Sequence, residues 1–297
     1  MYDGVLSCLH TVGQDSYVQT PYRFMLIPPI LSQSNITLTR EIQVCDELGR
    51  SSYIHIPVER DLTVYVDKRE LVTLMTMGGC PELLVLGYLR NQRLLEAATQ
   101  IKTIQVDWEV GAAVVVTHQG ISQIEERTAK KIVTTGCGQG TVFGELMQAL
   151  DEIQLPQDVQ IKQTHLVNII EQMRLHPSIY KKAGSVHACA LFTDQGQLLQ
   201  FVEDVGRHNA VDAIAGKMWL DESSGANKVL YTTGRLTSEM VMKGAQMGIP
   251  ILMSRSGSTE MGYELAQKLG VTLLTRCTGK HFLVLTRPQA IVRDSMV

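Results

Sequence analysis

Over residues 36–66, apolar and polar positions alternate in short runs. Arg40–Val44, Tyr53–Val58 and Leu62–Val66 each repeat every second residue, the signature of strands with one wet face. Pro81 then opens a helical run, Glu82–Leu89, because proline lacks only an N–H that a first helical turn leaves unbonded anyway. Two further strands are expected at Ile104–Glu109 and Ala112–Thr117, and a charged helix over Gln123–Lys131. A small-residue segment, Thr134–Thr141, and a polar connector, Asp151–Thr164, follow.

Beyond His165 the period changes. A helix over 165–181 leads into a hairpin-like pair, Val186–Thr193 and Leu198–Glu203, split by Asp194, Gln195 and Gly196. Strands at Val229–Thr232, Pro250–Met253 and Val271–Leu274 alternate with helices at 237–247 and 258–269. That alternation implies a mainly parallel sheet with helices on its faces. The expected class is α/β. A β-rich N-terminal domain covers 1–135, a mobile cysteine loop and connector 136–164, and an α/β domain 165–297.

Composition narrows the class. The 297 residues are 44% apolar, ample for a packed core. A net charge of −3 argues against broad nucleic-acid binding, which needs a basic surface to release counterions. There is no 18-residue apolar run to span a membrane. Met1–Asp15 has no Lys or Arg ahead of an apolar stretch, unlike a signal peptide. Six scattered cysteines (Cys8, Cys45, Cys80, Cys137, Cys189, Cys277), with no C-x-x-C, fit reduced thiols better than a disulfide framework. A soluble, cytoplasmic protein is expected.

The stretch Glu203–Lys217 carries the densest chemistry. Val211, Ile214, Ala215 and Met218 fall at helical spacing, yet Arg207 and His208 sit at the start of that helix, the positive end of its dipole. Glu203 and Asp204 could offset them locally, or the group could be a polar constellation held for an anion. Two strand-to-helix turns, Thr232–Ser238 and Ser254–Thr259, each combine glycine, hydroxyls and an arginine, Arg235 or Arg255. Free N–H groups, the helix dipole and a guanidinium fork suit phosphate, with Ser256 as a further donor, although Ser and Thr are also ordinary helix caps. Neither turn is a Walker loop, and no G-x-G-x-x-G follows a strand. Arg276–His281 reads on its own as a polar hairpin turn.

Residues 203–212, EDVGRHNAVD, followed by a strand and Gly234–Met240, resemble the formate dehydrogenase accessory protein FdhD family. The resemblance runs from about Leu62 to Ile291 and is densest after Val186. It implies a cytidine-deaminase-like fold for the C-terminal α/β/α domain, beside the smaller β-rich domain. It also implies a sulfurtransferase that passes persulfide sulfur from a cysteine desulfurase to the molybdenum bis-guanine dinucleotide cofactor of formate dehydrogenase or a related molybdoenzyme. By position, the segment Arg276, Cys277, Thr278, Gly279, Lys280 and His281 is expected to contact that cofactor, with GDP as a partial mimic. Arg235 and Arg255 would hold phosphates, Asp204, Arg207 and His208 would line or brace the pocket, and His187 would lie in it. Relatives form dimers, so a homodimer is expected.

Cys137 is the expected nucleophile: glycines at 136, 138 and 140 leave its thiol unobstructed. The family's usual loop is C-x-x-C, whereas here Gly140 takes the place of the second cysteine. One thiol can still carry a persulfide. A non-catalytic cofactor chaperone is therefore the alternative, and Cys80 is a second, weaker candidate thiol. A zinc deaminase is disfavoured, because Ala188 and Cys189 follow His187 where deaminases have H-x-E, and the later C-x-x-C is missing.

Overall fold

The computed structural model describes residues 28–34, 36–121 and 153–294. Strands β1 (Ile30–Leu31), β4 (Arg60–Val66), β5 (Arg69–Thr76), β6 (Ile101–Asp107) and β7 (Ala112–Thr117) form a mixed sheet in the order β1-β6-β7-β4-β5. Strands β2 (Thr39–Cys45) and β3 (Ser51–Pro57) pair only with each other, as an antiparallel ribbon. The second large sheet is β10-β9-β11-β12-β13-β14, built from β9 (His187–Thr193), β10 (Leu198–Asp204), β11 (Lys228–Thr232), β12 (Ile251–Ser254), β13 (Thr272–Thr278) and β14 (His281–Val284). Its three central strands, β11, β12 and β13, run parallel, while β9, β10 and β14 run antiparallel to their neighbours. Short strands β8 (Ile161–Lys162) and β15 (Ile291–Val292) pair at the edge of the molecule's described part. The expected hairpin, the three parallel strands and the helices between them are all present, in a mixed α/β fold.

The helices lie in two layers. Helices α1 (Pro81–Asn91), α4 (Arg207–Leu220), α5 (Ser238–Gln246) and α6 (Glu260–Leu269) share one apolar cluster. That cluster joins the inner face of the first sheet (Leu62, Val64, Ile104, Val115) to one face of the second (Cys189, Leu191, Leu230, Leu252, Leu273). Alternation along β11 and β12 sends Val229, Tyr231, Ile251 and Met253 to the opposite face. There Leu166, Ile169 and Ile170 of α2 (Gln163–Leu175) cover them. The centre of the shared layer is the crossing of α1 and α4. A Cβ on Gly87 would sit 1.7 Å from the Asp212 carbonyl oxygen, and one on Gly216 2.0 Å from that of Leu83. Two glycines thus let the backbones touch, and burial on both sides follows.

Three sequence expectations change. The helix expected over 165–181 is two helices, α2 and the short α3 (Ile179–Ala183). Pro177 disfavours helical geometry at His176, whose ψ is 130°, and Ser178 caps the new start by accepting the Lys181 N–H. Strand β5 was not expected, although it pairs along the whole of β4. The polar connector ends in β8 rather than remaining irregular. The charged helix at 123–131, the Cys137 loop and most of the 136–164 boundary segment lie outside the described residues.

Candidate functional site at the carboxyl ends of β11 and β12

The two strand-to-helix turns are fastened to each other. The Leu236 N–H donates to the Gly257 carbonyl (2.9 Å) and the Thr259 N–H to the Leu236 carbonyl (3.1 Å). The Ser254 hydroxyl donates to the Gly234 carbonyl at 2.6 Å, and the Ser256 N–H to the Ser254 hydroxyl at 2.9 Å. The third expected segment joins them, because the Arg276 N–H donates to the Ser256 carbonyl at 2.8 Å. Strand β13 then runs four residues past its last pairing with β12, to Thr278, so the Gly279–Lys280 turn overhangs the same end of the sheet by roughly 13 Å. Open α/β sheets bind ligands at this end.

Arg207 enters from α4. Its stem crosses Gly234 so closely that a Cβ there would lie 2.7 Å from the Arg207 Cδ. His187, at the start of β9, is half-buried, and burial followed by the Arg207 charge holds its imidazole below the usual range. Threonine 233 closes the gap between them and the turn: the Ala188 N–H donates to its hydroxyl, and its N–H to the Ala188 carbonyl, both at 2.9 Å. Arg235 and Arg255 are exposed, and the ion pairs among the described residues include neither. Arg255 instead lies over the Tyr180 ring, 5.3 Å from its centroid.

Asp204 and His208 are braces in this arrangement. Asp204 is 4% exposed, and its carboxylate accepts from the Thr76 hydroxyl (2.5 Å), the Met77 N–H (3.1 Å), the Gly206 N–H (3.1 Å) and the Asn209 amide (2.8 Å). Burial nevertheless pushes its pKa above the usual carboxylate range, against four donors that favour the anion. His208 is 4% exposed, and its Nε2 sits 3.1 Å from Glu239 Oε2, in the first turn of α5. One turn further, Asp212 of α4 meets Lys243 of α5 at 2.7 Å and also accepts from the Asn91 amide at 2.6 Å. Of the two basic residues at the helix start, His208 thus meets its carboxylate across the α4–α5 contact. Glu203 does something else: its carboxylate accepts the N–H groups of Ile179 (2.6 Å) and Tyr180 (3.1 Å), holding α3.

Of the 276–281 segment, Arg276, Thr278, Gly279, Lys280 and His281 are exposed. Cys277 faces the core, 1% exposed, and burial pushes its thiol up to about 12. Cys189 is likewise buried and pushed up to about 12. Cys80, just before α1, is partly buried, and burial, Glu82 and Asp204 all raise its pKa. The expected nucleophile, Cys137, is outside the described residues. Sequence reasoning missed Thr76, Tyr180, Asn209, Glu239 and Lys243. Only Asn209 and Glu239 had a local signal, each lying in the first turn of a helix that opens a recognised motif.

Relatives of known name match most of the chain. Sulfur carrier protein FdhD of Saccharolobus solfataricus is 32% identical over 256 residues, 84% of this chain and 96% of the relative. Sulfur carrier protein FdhD of Bacillus subtilis is 28% identical over 233 residues, 78% of this chain and 88% of the relative. A crystal structure from Desulfotalea psychrophila, assigned as a formate dehydrogenase accessory protein, superposes with a TM-score of 0.68 at 26% identity. It covers 86% of this chain and 98% of that one. The sequence model described as "FdhD/NarQ family" matches residues 57–292, which include both large sheets apart from β1, the shared helical layer and all three site segments, and the chain belongs to that family.

Proposed function

We propose that this protein is a sulfur carrier in formate dehydrogenase maturation, with the turns at the ends of β11 and β12 as its cargo site. The carrying observation is the juxtaposition of Arg235 and Arg255, both without a carboxylate partner among the described residues, on two hydrogen-bonded turns beside Arg207 and the 276–281 tip. Unpaired guanidinium groups and strand-to-helix turns suit the phosphates of the molybdenum bis-guanine dinucleotide, which is cargo here, with GDP as its partial mimic. We read the six-stranded sheet and its helices as a cytidine-deaminase-like arrangement that has lost deaminase chemistry, since Ala188 stands where the acid would be. A cysteine desulfurase, formate dehydrogenase and a second copy of this chain are the proposed partners.

In this reading the Cys137 thiolate attacks the outer sulfur of the desulfurase persulfide. A new S–S bond forms on Cys137 and the desulfurase thiolate leaves. With Gly140 in place of a second thiol, the loop itself holds no resolving partner to release that sulfur as a disulfide. Its departure as sulfide needs two electrons from an external thiol or the acceptor. The same glycine favours the second reading, a chaperone that binds the cofactor without carrying sulfur.

Intact-mass spectrometry after incubation with an active desulfurase and cysteine separates the two. A reducible gain of about 32 Da, one sulfur, in the wild type but not in Cys137→Ala supports the carrier. No gain in either protein supports the chaperone, and an equal gain in both removes Cys137 from the role.

A further inference from the structure

Tyr180 belongs to none of the segments that define the cargo site, yet its backbone and ring are both fixed against that site. Helix α3 is only five residues long and buries none of them. What holds it is chemistry: the Glu203 carboxylate of β10 grips the N–H groups of Ile179 and Tyr180, and Lys181 Nζ donates to the Leu175 carbonyl at 2.9 Å. On its other side α3 packs against β3 of the ribbon. The ring so placed is 47% exposed and lies under the Arg255 guanidinium, with Nη2 donating to the phenol oxygen at 3.4 Å.

We propose that Tyr180 is a positioning residue that sets Arg255 for an oxyanion of the cargo, by supporting its guanidinium on the aromatic face. This rests on the reading of the β11–β12 turns as a nucleotide phosphate site. A cation over an aromatic ring within about 6 Å is attracted by the ring's quadrupole. With one N–H directed at the phenol oxygen, the rest of the guanidinium's N–H fork is left to grip phosphate. An exposed arginine without such support must lose its rotamer freedom when the ligand arrives, which weakens binding. Arg235, on the other turn, has no ring beneath it among the described residues, so the two arginines differ in preorganisation there.

The test is GDP affinity of the full-length protein by titration calorimetry, for wild type, Tyr180→Leu, Tyr180→Phe, Arg255→Ala and the double variant Tyr180→Leu/Arg255→Ala. Tyr180→Leu should weaken GDP about fivefold, and Tyr180→Phe should recover affinity to within about twofold of wild type. In the Arg255→Ala background, Tyr180→Leu should change nothing further, because the ring acts only through that guanidinium. Wild-type binding that Tyr180→Leu leaves unchanged overturns the proposal alone. So does a loss of equal size in both backgrounds, the mark of a collapsed α3. A wild type that binds no GDP overturns the nucleotide-site reading, and this proposal with it.

Discussion

Asp204 shows how much one side chain in the EDVG run organises. Its four donors come from the end of β5, from the turn before α4 and from α4 itself, so one carboxylate ties the first sheet to the second. Asp204→Asn would turn an amide N–H₂ toward donors and leave at least one buried group unpaired, costing about 2–4 kcal/mol of stability in urea titration. Residue pattern alone showed this acid as a local counter-charge, and the family resemblance as a pocket residue; its partner Thr76 lies 128 residues away, where spacing cannot reveal it. Thiol chemistry makes a second residue-scale prediction. With pKa values pushed up to about 12, Cys189 and Cys277 hold on the order of one thiolate in ten thousand at pH 8. Iodoacetamide under native conditions should therefore modify exposed Cys45 and spare both, as read by peptide mass mapping. Labelling of either buried thiol at the Cys45 rate would show that the core opens.

At the scale of elements, the α1–α4 crossing is the feature least tolerant of change. Gly87→Ala must push two backbones apart, because the new methyl would meet the Asp212 carbonyl rather than a side chain that could swing away. We expect a loss of about 3 kcal/mol by urea unfolding, the upper end of overpacking. A loss under about 0.5 kcal/mol would mean that the helices do not touch there. The elements themselves were legible wherever a single period ran unbroken: β4, β7, α1, the β9–β10 hairpin and the β11 to α6 alternation all emerge from it. Strand β5 did not, for a physical reason. A register shift opposite Val64 and Tyr65 interrupts its alternation, so its buried positions, Leu71, Leu74 and Thr76, are spaced three and then two apart. The break between α2 and α3 has a clear signal in Pro177, which a single helix over 165–181 overlooks.

For the whole molecule, the apolar cluster that runs from Leu62 to Leu273 has more weight than any boundary in the chain. A single calorimetric unfolding transition is expected, since neither sheet can keep its inner face covered without α1 and α4. Two well-separated transitions would mean that the parts at 1–135 and 165–297 melt independently. The buried Asp212–Lys243 pair belongs to this scale as well, because Asn91 of α1 joins it and three helices meet there. Lys243→Met should cost about 3–5 kcal/mol, measured by denaturation, since it strands Asp212 in the core. The candidate site was legible as three separate segments; what brings them together is sheet order and turn-to-turn hydrogen bonding, which no local pattern encodes. The shared helical layer also imposes a timetable on biosynthesis. The face of α1 that carries Leu83 and Gly87 leaves the ribosome more than a hundred residues ahead of the α4 surface that covers it. At cellular elongation rates the N-terminal half waits on the order of ten seconds with that face open, a window in which a holding chaperone has something to bind.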